Sequence, residues 1–336
     1  MRKKIFLLIL IILIVNSGCS MPLKTNTDIN EIKKINKKIV LLLPGPINDD
    51  GWSANNYSGL RIASNNLGIK VEYVENIAIE DYEKTIKEYG EKEYDLILLA
   101  GNQFEETVSE LAPSFPKSIF CVINGKNDKG NNLSPVLPKE YEASYLASVI
   151  AGNITKTGKL GVIGDYPEES IEKSLDIFEK NSIRIAENRN IKGISIRAYT
   201  NSWIDRQLGK LIASQLIEEG VDVLFVDSHD ADLGVIEIAK EKGVKVIGFV
   251  NDRTKIDSET VVASVVYDFD ALYKWVLGAY LNERLEVSKV NTIGVSEGVF
   301  KIICTENIPK SLEKILSSEV DRIKNKEINF DKLYEK

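Results

Sequence analysis

Short, fully apolar runs alternate with segments of helical length and spacing from residue 39 almost to the C-terminus. Residues 39–43 and 96–100 are two such runs, and each is apolar at every position. A strand of this kind is covered on both faces, as in a parallel sheet flanked by helices. Gly220 and Gly243 stand where two of the helical segments end, which is the usual place of a C-cap glycine. The alternation predicts an α/β fold with right-handed crossovers between parallel strands.

The alternation falls into two halves. The first ends near residue 123, and the second begins with a helical segment at residue 140. A chain of 336 residues is also long enough for two domains. Ligands of parallel sheets bind outside the carboxyl ends of the strands, so loops that directly follow strands are the candidates for a site. We predict two doubly wound parallel-sheet lobes around a ligand cleft: lobe 1 from residues 39–137 plus 267–293, and lobe 2 from residues 138–266 plus 294–336.

The N-terminus has the pattern of an export signal. A basic start at residues 2–4 precedes an apolar stretch over residues 5–15, which is too short to span a bilayer because a spanning helix needs about 20 apolar residues. Residues 16–19 read Asn-Ser-Gly-Cys and resemble the bacterial lipobox, although Asn16 stands where Leu is usual. The pattern predicts that Cys19 becomes a diacylated N-terminus that is held in the membrane. A signal without lipid, cut nearby, is the alternative.

Between the predicted signal (residues 1–19) and the first predicted strand, residues 20–38 are rich in Lys, Asn and Thr and lack an apolar period. We predict a flexible tether there, with a short helix over residues 28–37 as the alternative. A flexible chain of about 19 residues has a root-mean-square reach of roughly 25 Å. The signal and the tether together predict a lipid-anchored body at the extracytoplasmic face of the cell membrane.

The composition of the chain argues against several classes of function. The net charge of −7 argues against nucleic acid as a partner, because nucleic-acid binding needs a basic face. The chain has one histidine, His229, and no cysteine spacing typical of a metal site. Cys121 and Cys304 lie in apolar runs and are interpreted as core residues, with a disulfide between them as the alternative in an exported protein. Because the sequence also lacks a Gly-x-Ser-x-Gly elbow and a phosphate-binding loop, it indicates a binding protein without a cofactor rather than an enzyme.

The loop after the first predicted strand is the most specific candidate. Residues 44–52 read Pro-Gly-Pro-Ile-Asn-Asp-Asp-Gly-Trp, a composition that favours a tight turn. Asp49 or Asp50 can cap the following helix, and Asn48 directly precedes them. Trp52 is predicted to stack on a flat ligand, because aromatic faces stack on bases and sugars. A core position for this tryptophan is the alternative.

Three further strand-end loops carry aromatic or polar side chains that we expect at the cleft. Each has a structural alternative: Phe104 can be buried beside a helix N-terminus, Trp203 can cover the surface of its lobe, and His229 can be a structural hydrogen-bonding residue. A histidine that lines the cleft would change its charge between about pH 5 and pH 8. The candidates are Asn102 and Phe104, then Trp203 and Asp205, then Ser228, His229 and Asp230.

The order and spacing of several short motifs resemble those of the basic membrane protein (BMP) family. The resemblance covers nearly the whole predicted mature chain and is closest to the Med branch, whose members are described as regulators of competence. It implies a type I periplasmic-binding-protein-like fold and a lipoprotein that binds solutes for an ABC importer, with purine nucleosides as the ligands of several members. The motifs lie at residues 47–49, 94–97, 101–104, 155–159, 199–203, 220–223, 233–235 and 263–265.

The resemblance also implies roles for single residues. In nucleoside-binding members an aromatic side chain shortly after the Ile-Asn-Asp motif stacks on the base, and Trp52 has this position. An acidic residue at the end of the first strand is replaced by Leu43. An Asp that contacts ribose aligns with Val250, although Asp252 is retained two positions later. A Lys after the Ser-Val motif is replaced by Tyr267.

A glycine-rich loop of the family is replaced by the bulkier and more polar residues 228–230. Because buried polar groups that lose their partners cost about 1–3 kcal/mol each, we expect these departures to change or abolish ordinary nucleoside affinity. The cleft itself is expected to remain.

The sequence thus predicts a lipid-anchored substrate-binding protein that closes its lobes over a small, nucleoside-like solute and delivers it to an ABC permease. The alternative is a Med-like membrane-anchored sensor or regulator with the same fold, which would signal to a membrane partner without transport. The predicted ligand-binding residues are Asn48, Asp49, Trp52, Asn102, Phe104, Trp203, Asp205, Ser228, His229, Asp230, Asp252 and Tyr267.

Overall fold

The computed structural model describes residues 37–49, 51–228 and 230–334 of the chain. The predicted signal with Cys19, residues 20–36 of the predicted tether, and His229 lie outside these ranges, so the predictions about them stay predictions.

Strands and helices alternate along the described chain. The strands are β1 (Ile39–Leu42), β2 (Glu72–Val74), β3 (Leu96–Ala100), β4 (Ile119–Ile123), β5 (Val136–Pro138), β6 (Lys159–Gly164), β7 (Ile194–Tyr199), β8 (Val223–Asp227), β9 (Lys245–Val250), β10 (Val261–Tyr267), β11 (Asn291–Ile293) and β12 (Phe300–Cys304). The helices are α1 (Trp52–Leu67), α2 (Tyr82–Glu91), α3 (Glu105–Leu111), α4 (Glu140–Ile154), α5 (Glu169–Asn188), α6 (Arg206–Glu218), α7 (Asp232–Lys242), α8 (Phe269–Leu281), α9 (Lys310–Lys324) and α10 (Phe330–Tyr334). Within these ranges, no helix combines the length and the apolar character needed to cross a membrane.

The strands form two six-stranded sheets, which confirms the predicted α/β fold with two parallel-sheet lobes. The first sheet has the order β11–β5–β4–β3–β1–β2 and contains only parallel pairs. The second has the order β12–β10–β9–β8–β6–β7 and is parallel except for β12, which runs antiparallel to β10.

Both faces of each sheet are covered, which explains the strands that are apolar at every position. In β8, Leu224 and Val226 belong to a buried cluster with side chains of α6 and α7. The ring of Phe225 points to the other face, where it stacks on Phe178 of α5 with centroids 4.6 Å apart. The alternation of sides along one strand therefore builds two cores per sheet.

The chain passes between the two sheets at β5–α4, at β10–α8 and at β11–β12. These crossings are hydrogen-bonded to one another. The backbone N–H of Lys139 donates to the carbonyl of Ile293 at 2.7 Å, and that of Asp268 donates to the carbonyl of Val299 at 2.7 Å. The crossings therefore lie side by side and form a compact hinge region between the lobes.

Each sheet carries one cysteine among the described residues, and both are free thiols. Cys121 in β4 is fully buried, and burial raises its pKa well above the ordinary value. Cys304 in β12 is half-buried, and burial raises its pKa to about 11. Cys121 therefore takes the core position expected of it, whereas Cys304 is only half-buried in the edge strand β12. The two are not joined to each other.

Helices α1 and α8 pack closely at one glycine. A Cβ atom on Gly59 would lie 2.5 Å from the carbonyl carbon of Phe269, which is backbone and cannot rotate away. By contrast, a Cβ atom on Gly278, in the middle of α8, would meet nothing within 4 Å.

We predict that Gly59→Ala lowers the free energy of unfolding by about 1–3 kcal/mol, because the helices must separate to admit the methyl group. The matched variant Gly278→Ala should raise it by about 0.5–1 kcal/mol through helix propensity. Urea denaturation of the domain that begins near Asn36 measures both values. Equal destabilisation by the two variants would contradict the close approach of α1 and α8.

Candidate functional site

Two strand-end regions, one in each lobe, contain most of the residues predicted for the site. In lobe 1 the loop after β1 begins α1, and the carboxylate of Asp49 caps the helix. It accepts backbone N–H groups from Gly51 at 2.8 Å, Ser53 at 3.1 Å and Ala54 at 3.0 Å. Both carboxylate oxygens are engaged, so Asp49 holds the loop, while the neighbouring Asn48 is exposed.

Trp52 begins α1 and is half-buried. Its indole Nε1–H donates to the carbonyl oxygen of Ala100, at the end of β3, over 2.8 Å. Its ring meets Phe269 edge-to-face with centroids 5.6 Å apart. The tryptophan is therefore fixed over the carboxyl end of the first sheet, with part of its ring open to solvent.

The loop after β3 differs from the prediction in the position of the Phe104 side chain. Phe104 was expected at the cleft, but its side chain is 0% exposed and packs on Tyr82 with ring centroids 4.1 Å apart. It belongs to the lobe 1 core with residues of α2 and α3, because the short helical turn at Asn102–Phe104 rotates the ring inward. Phe104 is therefore a core residue in this structure, whereas Asn102 beside it is exposed.

In lobe 2 the loop after β7 places an aromatic pair at the rim. Trp203 is 53% exposed, and its ring lies 4.9 Å from that of Tyr166, which follows β6. Asp205 is the N-cap of α6 and accepts the backbone N–H of Leu208 at 3.0 Å. The tryptophan is thus available for a partner or solute, while the aspartate serves its own helix.

The loops after β8 and β9 are joined by one arginine. Arg253 Nη2 lies 3.4 Å from Asp230 Oδ1, and its Nε lies 2.7 Å from Asp232 Oδ2. Asp252 accepts the backbone N–H of Thr254 at 3.1 Å within its own loop. Asp230 and Asp252 therefore both stabilise the loops that follow these strands.

Val250, at the end of β9, has a φ of 69°. This left-handed region is rarely adopted by β-branched residues, and such strain costs about 1–3 kcal/mol. Aspartate and asparagine tolerate it better. The strained residue lies where nucleoside-binding members of the resembled family are implied to carry an Asp.

Three polar groups at the ends of β8 and β10 are buried without a hydrogen-bond partner in the described chain: Asp227 Oδ2, Ser228 Oγ and Tyr267 OH. Their residues are 7%, 2% and 5% exposed, respectively. Asp227 and Ser228 are consecutive at the end of β8, whereas Tyr267 ends β10, with β9 between the two strands. We name these three residues the lobe 2 polar cluster. Buried polar groups are nearly always hydrogen-bonded, because each unpaired one costs about 1–3 kcal/mol. Such a cluster at strand ends is typical of a site that a ligand completes.

Electrostatics set the protonation of the cluster. Burial raises the pKa of Asp227 well above its usual value, and the negative charges of Glu140 and Asp165 raise it further. Burial and Glu140 likewise raise the pKa of Tyr267. Glu140 begins α4 and Asp165 follows β6, so both lie at the same edge of the second sheet as Asp227. The neutral carboxyl form of Asp227 is therefore favoured when the cleft holds no counter-charge.

The site inferred from the sequence and the site in the structure overlap in part. Ser228 and Tyr267 were predicted and belong to the cluster, and Trp52 and Trp203 lie at the rims of lobe 1 and lobe 2, respectively. Asp227 was missed, although its signal was present: an acidic residue that ends an otherwise apolar strand is unusual. Glu140 and Asp165 gave no comparable signal, because they reach the site only through the packing of α4 and β6.

We predict that Asp227→Asn stabilises the protein at neutral and mildly alkaline pH. Since the folded-state pKa is raised, the folded protein holds a proton that the unfolded chain has lost, and stability falls by about 1.4 kcal/mol per pH unit from near pH 4 up to the folded-state pKa. Asp227→Asn has no titrating carboxyl group at this position, so its free energy of unfolding does not fall with pH for this reason. Urea denaturation across the pH range measures the difference.

The matched control is Asp222→Asn, whose carboxylate accepts from the Thr155 hydroxyl and from two backbone N–H groups. It should destabilise the protein by about 1–2 kcal/mol. If Asp227→Asn behaved like this control, Asp227 would be a paired structural residue.

Comparison with known proteins assigns the chain to a family. Residues 36–333 match the Bmp family model, described as ABC transporter substrate-binding protein PnrA-like. A purine-binding protein of Brucella abortus is 26% identical over 295 residues, which cover 87% of this chain and 82% of that protein. The transcriptional activator protein Med of Bacillus subtilis is 24% identical over 313 residues, covering 91% and 93% of the two chains.

A solved structure supports the same fold. The crystal structure of a transcriptional activator of the comK gene from Bacillus halodurans superposes with a TM-score of 0.74 at 23% identity, covering 87% of this chain and 99% of that one. The resemblance to the BMP family, and to its Med branch, is confirmed. The chain belongs to the Bmp family of PnrA-like substrate-binding proteins of ABC transporters.

Proposed function

We propose that the protein captures a small, flat, polar solute of nucleoside type by closing its two lobes, and delivers it to an ABC permease. The observation that carries this proposal is the lobe 2 polar cluster, whose buried groups lack partners at the strand ends where ligands of parallel sheets bind. A solute that enters the cleft would supply the missing hydrogen bonds.

Aromatic surfaces in both lobes support a flat solute. Trp52 is fixed over the first sheet by its bond to Ala100 and keeps part of its ring exposed. Trp203 and Tyr166 form an exposed pair at the rim of the second sheet. Closure about the crossings would bring these rings toward one solute, and base–aromatic stacking contributes about 1–3 kcal/mol.

Three departures from the nucleoside-binding pattern argue that the solute is not an ordinary nucleoside. Leu43 is fully buried where an acidic residue is implied, so no carboxylate faces the cleft there. Val250 offers no acceptor, and Tyr267 is buried against Phe269 and Phe300 in place of a lysine. The polar cluster would replace these contacts with a different set of hydrogen bonds.

Location follows from the predicted N-terminus. We propose that the diacylated Cys19 and the tether over residues 20–38 hold the protein at the extracytoplasmic face of the cell membrane. The lobes that would move are residues 39–137 plus 267–293 and residues 138–266 plus 294–336. Each sheet draws its strands from one of these sets, except that β5 and β10 each extend one residue beyond the boundary, at Pro138 and Tyr267.

A regulator is the second candidate. The coverage of 91% of this chain by the alignment with Med, together with the lost nucleoside contacts, favours a membrane-anchored sensor that keeps the fold and signals to a membrane partner. The two candidates differ in what they require: transport needs a permease, whereas signalling needs a partner that recognises one state of the lobes.

We predict that a purine nucleoside or a related flat solute stabilises the mature protein. Adenosine, guanosine, inosine and the free bases are the first probes. A ligand at 100 times its dissociation constant adds about 2.7 kcal/mol to the free energy of unfolding, which thermal denaturation detects readily. Trp52→Ala should remove the shift, because the stacking surface is lost. Trp52→Phe, which keeps a ring but cannot bond to Ala100, should retain part of it.

The absence of a shift with every nucleoside and free base would exclude nucleoside capture and favour the regulator. A shift that survives Trp52→Ala unchanged would return Trp52 to a purely structural role.

A further inference from the structure

The lobe 2 polar cluster combines two independent features. The first is a pair of buried hydroxyl groups, Ser228 Oγ and Tyr267 OH, which have no hydrogen-bond partner in the described chain. The second is a buried carboxyl group, Asp227, whose Oδ2 atom also lacks a partner. Hydroxyls alone would accommodate many solutes. A carboxyl group at the same edge of the sheet adds a preference for one sign of charge.

The surroundings of Asp227 are negative. Burial disfavours its ionised form most strongly, and Glu140 at the start of α4 and Asp165 after β6 act in the same direction. At the end of β10, Tyr267 is buried and also feels the charge of Glu140. Among the described residues none contributes a positive charge to Asp227, so a solute can supply the counter-charge there.

The basic side chains of the adjoining segments are committed elsewhere. Lys139, before α4, pairs with Glu142 at 2.7 Å. Arg253, in the loop after β9, pairs with Asp230 and with Asp232 of α7. Lys301 of β12 pairs with Asp268. Each of these cations already has a carboxylate partner and is therefore not an open counter-charge for the polar cluster.

We propose that the lobe 2 polar cluster receives a basic nitrogen of the solute, so that the protein selects an amine-bearing or otherwise cationic cargo. This proposal rests on the proposed capture of a solute in the cleft. The protonated amine pairs with the Asp227 carboxylate, while the Asp227 proton passes to bulk solvent. The hydroxyls of Ser228 and Tyr267 remain for other polar groups of the solute. Binding is therefore accompanied by the release of one proton per solute.

The test compares solutes that differ by one charge. Calorimetry measures the binding of adenosine and of its aminodeoxy analogues, in which one ribose hydroxyl is replaced by an amine, at neutral pH. Agmatine, a cation without a nucleobase, is the second probe. We expect at least one amino analogue to bind about tenfold more tightly than adenosine. Titrations in two buffers of different ionisation enthalpy should show the released proton.

Variants assign the effect to one carboxyl group. Asp227→Asn should reduce the preference for the amine to about twofold or less and abolish proton release, since the amide has no proton to lose at this pH. Glu237→Gln, which removes an exposed acid of α7 paired with Lys210, is the matched charge control and should change neither.

Each outcome decides one proposal or both. Equal binding of adenosine and its amino analogues, without proton release, would overturn the cationic cargo and leave nucleoside capture intact. Binding of agmatine to the wild type but not to Asp227→Asn, without any response to adenosine, would support the cationic cargo and refute the nucleoside. If no probe bound, both proposals would fail. Proton release that persists in Asp227→Asn would also overturn the role of Asp227.

Discussion

A parallel sheet requires the chain to return along a helix after each strand, and this return collects the loops that follow the strands at one edge of the sheet. In this protein two such sheets are connected through crossings that hydrogen-bond to one another. Nearly every residue proposed to bind a solute lies at the carboxyl ends of the strands of one of the two sheets. These are the Trp52 loop in lobe 1, and Trp203 with the polar cluster in lobe 2. The constraint of parallel pairing thus decides where the chemistry can be.

The same constraint separates stability from binding. The strand interiors are apolar on both sides and supply the cores, whereas the strand ends tolerate features that cores reject. Three of these are the buried Asp227 carboxyl, the partnerless Tyr267 hydroxyl and the left-handed Val250. Each lowers the free energy of unfolding, and each lies within a few residues of the cleft edge. Proteins commonly retain such costs where a ligand or a partner relieves them.

Much of the fold was predictable because burial on both faces leaves a strong pattern. The fully apolar strands β1 and β3 were placed within about one residue, the usual uncertainty at element ends. The strands β5 and β11 leave no pattern in the sequence, since three residues are too few to show a period. Helix α1 begins at Trp52, directly after the loop in which an aspartate was predicted to cap it, and Asp49 holds its first turn.

The site was less predictable, because it depends on which way side chains turn and on contacts between distant segments. Phe104 has a cleft-like position in the sequence but faces the core, since one turn of tight helix precedes α3. Asp227 acquires its raised pKa through burial, through Glu140 and through Asp165, and Glu140 is 87 positions away in the chain, counted from 140 to 227. A sequence pattern reports local periodicity, whereas the electrostatic interaction between Glu140 and Asp227 joins distant segments.

The distribution of the free thiols makes the two lobes chemically distinguishable. Cys121 lies in the first sheet and Cys304 in the second, and both are held as thiols by burial. Because alkylating reagents react with the thiolate and burial disfavours it, the modification rate of each cysteine rises when its own lobe opens. The two modification rates therefore report the opening of each lobe separately. A solute bound by both lobes lowers both rates, whereas a molecule that contacts one lobe lowers only one.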